Sequence, residues 1–255
     1  MTENRTPMRS RVAFAAIAIL LLLLGAAAGW LWQGRGKDAS SIAVADRKAV
    51  EGVVREYILA NPEILPQAMQ NLQRRESAKL LANVRGDVET PFPGAIMGNP
   101  KGTVTLVMFT DYACGYCRQS VPEVDALIAA NPDLRVVVRE LPIIAPASED
   151  AARWALAAAM QGRYHDFHQA IFAAGRPDAA AIEAAARTAG LDVERARKAS
   201  TDPKIDQEIA RNMDFARQLG VTGTPSWIIG DQQLFGAVGR DDLGKAIAEA
   251  RNQAG

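Results

Sequence analysis

The stretch TVTLVMFTDYACGYCRQ, residues 103–119, decides how this 255-residue chain is read. Thr103 to Thr110 is a strand-like run, and Gln119 to Ala130 has the composition of a helix. Between them stand Cys114 and Cys117, the only two cysteines, arranged as Cys-Gly-Tyr-Cys. A structural disulfide framework scatters its cysteines, because each bridge must close a loop to constrain the unfolded chain. The loop here is too short for that, so the pair reads as reactive. A thiol must become a thiolate to attack a disulfide, and a free cysteine titrates near roughly pH 8.5. Placed at a helix start, Cys114 meets unpaired backbone N–H groups and the positive end of the helix dipole, which favour the anion. Three residues on, Cys117 shares its face, at a Cα spacing of about 5–6 Å that a disulfide tolerates. Cys114 is therefore the expected nucleophile and Cys117 the partly buried resolving thiol. The redox-active Cys114–Cys117 pair itself would then serve in place of a cofactor.

Working outward, Leu134 to Leu141 forms a second strand, and the two strands with their crossover helix make a βαβ unit. Residues 148–220 are almost wholly helical, broken at Gly175-Arg176-Pro177 and at Gly190. After Gly223-Thr224-Pro225, two strands, Ser226 to Gly230 and Gln233 to Val238, meet at a Gly230-Asp231 hairpin turn. A last helix runs from Arg240 to Gln253, with Asp241 and Asp242 in its first turn. Pro225 opens a strand, where it cannot donate to the ladder; spacing alone does not predict a cis bond there. Residues 86–102, with three prolines and four glycines, read as a linker or irregular edge.

Upstream, Val50, Val53, Val54, Tyr57 and Ile58 follow the stripe of an amphipathic helix. Asn61-Pro62 reads as an N-cap followed by proline at the first helical position, so a second helix is predicted over 62–82. Two such helices cannot bury their stripes alone; residues 42–85 either fold back on the main domain or pair with a second copy. Residues 33–41 read as a polar tether. Residues 12–32 are uncharged and mostly apolar, about the length that spans a bilayer, behind Arg5, Arg9 and Arg11 in the n-region 1–11. They form an uncleaved anchor, or a signal peptide with a small-residue cleavage site at Ala26-Ala27-Ala28. Both readings export the rest of the chain. With 29 basic and 29 acidic residues, no nucleic-acid surface is expected.

A zinc site would need two more ligands, and the only histidines, His165 and His168, lie about 50 residues away. No metal is predicted, although two thiolates could hold Cu(I) as a side activity. Glu140, late in the second strand, could relay protons for Cys117 or stand as an exposed strand-end carboxylate. Asp111 could cap the active-site turn.

FTDYACGYC, the helical insertion, and GTPSWIIG followed by a hairpin and final helix together resemble the DsbA-like thiol–disulfide oxidoreductases of bacteria. The resemblance implies a thioredoxin fold over 103–147 and 221–255, interrupted by a helical domain over 148–220. It implies that Pro225 is cis and lies against the cysteines. Gly115, Tyr116, Thr224 and Pro225 would shape the substrate groove, with the Thr224 backbone pairing to an extended peptide. VREYILANPEILPQAMQNLQRRE also resembles the N-terminal region of the ScsC-like and Com1-like subgroup, which implies a homo-oligomer. Strongly oxidising members carry Cys-Pro-His-Cys; Gly-Tyr stands here, as in the isomerase DsbC, which also has threonine before its cis-proline. A potential between the about −120 mV of DsbA and the about −270 mV of thioredoxin is therefore implied. Isomerase or reductase work is favoured over that of a dedicated oxidase. The implied setting is the bacterial inner membrane, crossed once, with the catalytic domain in the periplasm. Unfolded or misoxidised exported proteins would be its clients, and a membrane thiol-reducing or oxidising protein its partner.

Overall fold

The computed structural model describes residues 44–254 and six positions before them, Leu21, Leu22, Leu23, Gly25, Ala26 and Gly29. Apart from those six, the apolar segment 12–32, the n-region and the tether lie outside the described residues. Among the described residues, no helix is long and apolar enough to cross a membrane.

The chain divides at Pro66 into two compact units. In the first, α1 (Val44–Ala60) closes at Asn61, whose amide Nδ2 and backbone N–H both donate to the Tyr57 carbonyl, the side chain at 2.9 Å. Asn61 thus ends one helix instead of capping the next, and α2 (Ile64–Leu81) starts two residues later than the Asn-Pro signal predicts. The α1 stripe is solvated: Val50, Val53, Val54 and Tyr57 are 50–67% exposed.

The second unit, from Gln67, is built on one sheet. Its strands are β1 (Ile96–Gly98), β2 (Val104–Thr110), β3 (Leu134–Glu140), β4 (Ser226–Ile229) and β5 (Gln232–Phe235), in the order β1-β3-β2-β4-β5. Only β2 and β3 run parallel, joined through α4 (Gly115–Ala130); the other pairs are antiparallel. Side chains alternate between faces. Leu106, Met108, Val136, Val138, Trp227 and Ile229 enter one core, while Val107, Phe109, Val137 and Ile228 enter another. Burial on both faces is why β2 and β3 read as continuous apolar runs rather than as alternating ones.

Between β3 and β4 lie five helices: α5 (Pro146–Ala159), α6 (Tyr164–Ala174), α7 (Ala179–Thr188), α8 (Val193–Ala199) and α9 (Pro203–Gln218). Asp178, Asp192 and Asp202 cap α7, α8 and α9, each accepting from a backbone N–H in the first turn. The breaks after α5 and α8 add to those expected from Gly175 and Gly190. The last helix is α10 (Arg240–Ala254).

Residues 86–102 are not a linker. A four-residue helix, α3 (Arg85–Val88), overlaps their start, and β1 pairs with β3 as an edge strand. Val88, Ala95 and Met97 are buried. At Gly94, φ is +87°, and a Cβ there would sit 2.3 Å from the Ala159 carbonyl oxygen, so the close approach to α5 requires glycine. Arg139 of β3 completes the attachment. Wholly buried, it donates to the carbonyls of Val88 (3.0 Å from Nε), Asp87 (2.6 Å from Nη2) and Thr90, and to Glu208 Oε1 (2.6 Å from Nη1) and Asn212 Oδ1 (3.2 Å from Nη1). Its guanidinium lies 5.1 Å from the Phe215 ring centre.

Candidate active site

β2 delivers the chain to a tight turn, and Asp111 fixes that turn. Its buried carboxylate accepts from Ala113 N (2.7 Å) and Ser148 Oγ (2.6 Å) through one oxygen. Through the other it accepts from Ile143 N and Ile144 N, both at 2.8 Å. Cys114 N then donates to the Asp111 carbonyl at 3.0 Å. This places Cys114 as the N-cap of α4, in extended backbone, with its Sγ accepting from Cys117 N at 3.4 Å. The sulfur therefore sits on the free donors of the helix end.

From the other side, the Thr224–Pro225 peptide is cis, and the Cys114 thiol donates to the Thr224 carbonyl at 3.2 Å. The two cysteines are unbridged. Cys117 is 4% exposed, and burial pushes its thiol up to about 12, with Cys114 adding to the rise. The Asp111 backbone and the hydroxyls of Thr224 and Thr110 act in the opposite sense, favouring its thiolate. Both hydroxyls are buried without a hydrogen-bond partner among the described residues. Gly115 and Tyr116 lie at the surface, Tyr116 62% exposed. Thus Cys114, Cys117, Thr224 and Pro225 converge, with Gly115 and Tyr116 at the rim.

Glu140 is not an exposed strand-end carboxylate; it is fully buried. Tyr112 OH (2.9 Å) and Tyr164 OH (2.5 Å) donate to its Oε1, and Tyr112 OH lies 3.2 Å from His168 Nδ1. No hydrogen bond joins Glu140 to Cys117 directly. Burial, assisted by the Asp111 charge, lifts Glu140 from 4.5 to about 8 against the two tyrosine hydrogen bonds. His168 is pulled from 6.5 to about 3, chiefly by burial and secondarily by His165. His165 instead faces Asp125, with Nε2 2.8 Å from Oδ1. Among the described residues no three His, Cys, Asp or Glu side chains gather around a common metal position.

These shifts oppose each other in pH. Between about 4.5 and 8 the folded chain holds the Glu140 proton that the unfolded chain releases. That stability is complete at low pH and is lost as pH rises through about 8. Neutral His168 stabilises above about 6.5, and this is lost as pH falls towards 3. The slopes cancel between about 4.5 and 6.5, giving a plateau. From pH 6.5 to 8 the chain is expected to lose on the order of 2 kcal/mol, and Glu140→Gln to abolish that alkaline limb. Thermal unfolding across pH checks this; a limb unchanged in the variant would show that Glu140 is not the group responsible.

Residues 105–248 match the family model described as a DSBA-like thioredoxin domain. The chain belongs to the DSBA-like thioredoxin family. Its sheet, cysteine-capped helix and cis-proline are thus those of a thioredoxin-like α/β fold, the helical segment lying between β3 and β4. Residues 46–79 match the copper resistance protein ScsC N-terminal domain. A thioredoxin-like oxidoreductase from Silicibacter pomeroyi is 40% identical, with a TM-score of 0.60, over 62% of this chain and 91% of its own. Proteus mirabilis ScsC in a transitional conformation is 27% identical, with a TM-score of 0.63, over 84% of this chain and 99% of its own. The Na+/H+ antiporter NhaA 1 of Salinispora arenicola is 30% identical over 158 residues, 61% of this chain. The chain spans about a quarter (24%) of the length of that curated relative.

The sequence reading of this family member missed Tyr112 and Tyr164 as partners of Glu140, His168 against Tyr112, and Thr110 beside Cys117. Tyr112, two residues before Cys114, carried a signal by position alone; the other contacts come from helices far along the chain.

Proposed function

We propose that this member of a thiol–disulfide oxidoreductase family exchanges disulfides with exported client proteins, as an isomerase or reductase. The carrying observation is Cys114 Sγ, set on the α4 N-terminus 3.2 Å from the Thr224 carbonyl, above a sealed Cys117. In reduction, the Cys114 thiolate attacks a client disulfide, forming a mixed disulfide and expelling the client's second sulfur as thiolate. Cys117 loses its proton and attacks Cys114 Sγ, releasing the reduced client and leaving the Cys114–Cys117 disulfide. In isomerisation the expelled client thiolate attacks another client disulfide, and the thiolate so released attacks the mixed disulfide, freeing Cys114 as thiolate with no net electron transfer. Glu140, which holds its own proton below about pH 8, is the proposed proton relay for Cys117, taking the thiol proton by way of Tyr112 only in its ionised form.

Residues 12–32 are proposed as the single anchor, holding the catalytic domain in the periplasm, where a membrane thiol-exchange protein resets the pair. The solvated stripe of α1 and the match of 46–79 to the ScsC N-terminal domain support self-association through 42–85. A one-chain mass in sedimentation of residues 41–255 would refute that part.

The test of function is the thiol–disulfide equilibrium in glutathione buffers. A potential near −200 mV is expected; one near −120 mV would make the protein a dedicated oxidase. The copper-resistance name of the N-terminal match supports a second reading, Cu(I) held by the two thiolates. That reading predicts tight Cu(I) binding with no exchange at all.

A further inference from the structure

A cleft of about 580 Å³ opens between α2, β5 and α10, away from the cysteines. Gln73 and Ser77 of α2, Gln233 and Phe235 of β5, and Lys245 and Glu249 of α10 contribute to its walls. Among the described residues β5 pairs only with β4, so it is the edge of the sheet. Gly236 N donates to the Pro225 carbonyl at 2.8 Å, which makes 225/236, 227/234 and 229/232 the bonded pairs of this ladder. The N–H and C=O of Gln233 and Phe235 therefore point outward, along the open edge. The Gln233 side chain adds a further donor: the residue is 5% exposed and its Nε2 has no hydrogen-bond partner among the described residues. Leaving a buried donor unmade is costly, and a ligand carbonyl would satisfy it.

The frame around this edge is fixed. Arg85 holds the hairpin tip through the Gly230 carbonyl (2.6 Å) and Asp231 (2.5 Å). Glu249 accepts from Arg74 (3.2 Å) and Gln232 (2.9 Å), and Lys245 pairs with Asp242 (2.9 Å). The charges are spent on one another, so the cleft offers backbone groups, an amide and one half-exposed ring, without net charge. An extended peptide between an edge strand and a helix uses these groups.

We propose that this cleft is a strand-addition site for an extended, uncharged segment of a client polypeptide. The identification of the occupant as a client rests on the function proposed above. The four residues of β5 present about 14 Å of edge. At the Phe235 end, Gly236 binds Pro225, whose neighbour Thr224 meets Cys114, so a segment docked here leads towards the cysteine site. The site would select unfolded chains, which alone can offer a free strand.

Two variants outside the cysteine machinery test it. Gln73→Trp fills the cleft from an exposed helix position; Phe235→Pro removes an outward N–H without touching a β4 bond. The probe is a cysteine-free peptide of alternating Thr and Val, followed by amide chemical shifts. Shifts at β5 and α2, weakened tenfold or more by each variant, are expected. Glutathione disulfide exchange should stay unchanged, while KM for scrambled ribonuclease rises at least threefold at constant kcat. Shifts confined to the cysteine turn, no shifts, or variants that bind like the parent would overturn the proposal. Should Phe235→Pro unfold, Gln73→Trp decides alone. A parent chain that fails to exchange with glutathione disulfide sinks the redox function, and the peptide titration still decides the cleft.

Discussion

Replacing Cys114 with serine is expected to lower thiol–disulfide exchange by at least about a thousandfold, whereas Cys117→Ser should trap mixed disulfides. The two sulfurs are three residues apart but physically unlike. Cys114 caps α4 and faces the Thr224 carbonyl; Cys117 is sealed, with burial holding its thiol up to about 12. At pH 7 that leaves a thiolate fraction of roughly one in 10⁵ for Cys117, too little to replace Cys114 as nucleophile. In the proposed cycle Cys117 acts only when Cys114 carries a client sulfur within its reach. Removing it blocks release and leaves the client bound. Mass spectrometry of Cys117→Ser after mixing with scrambled ribonuclease reads the trapped adduct. Equal adduct yields from Cys114→Ser would reverse the assignment.

The second large effect concerns Arg139. Arg139→Met conserves much of the volume but removes the guanidinium donors from the carbonyls of Asp87, Val88 and Thr90 and leaves Glu208, 7% exposed, without its partner. Breaking a buried pair from one side costs about 3–5 kcal/mol. For a folded unit of this size that lowers Tm by roughly 6–20 °C. Replacing both partners, in Arg139→Met with Glu208→Met, should recover part of the loss, because no charge is then left stranded. Hydrogen exchange should show residues 81–90 opening first in the single variant. A Tm within about 2 °C of the parent would mean that Arg139 does not hold this segment.

The strand, cysteine turn and helix were legible because each is local: a β-branched run, a reactive pair and a change of period within 30 residues. Thr224 and Pro225 were legible only through resemblance, since spacing carries no information about a cis bond. Of β1 only an irregular edge was legible, as an alternative to a linker, and not the strand. Its three residues stand among prolines and glycines, and its pairing with β3 is a contact across about 40 positions. Arg139 was hidden for the same reason, a cation inside an apolar strand whose partners sit in α3 and α9. The missed helix break before α9 did leave a local trace, Asp202 at a cap position. The burial of Glu140 left none, because its partners come from the cysteine turn and from α6.

The Cys114–Thr224 contact joins residues 110 positions apart. A chain synthesised from its N-terminus therefore presents its cysteines long before the loop that completes their site. Until β4 takes its place beside β2, a passing thiol meets two cysteines without the Thr224 wall. The assembled site is a late event in the protein's own maturation, and the protein must pass through an interval in which its own thiols are open to the same exchange chemistry proposed for the finished site.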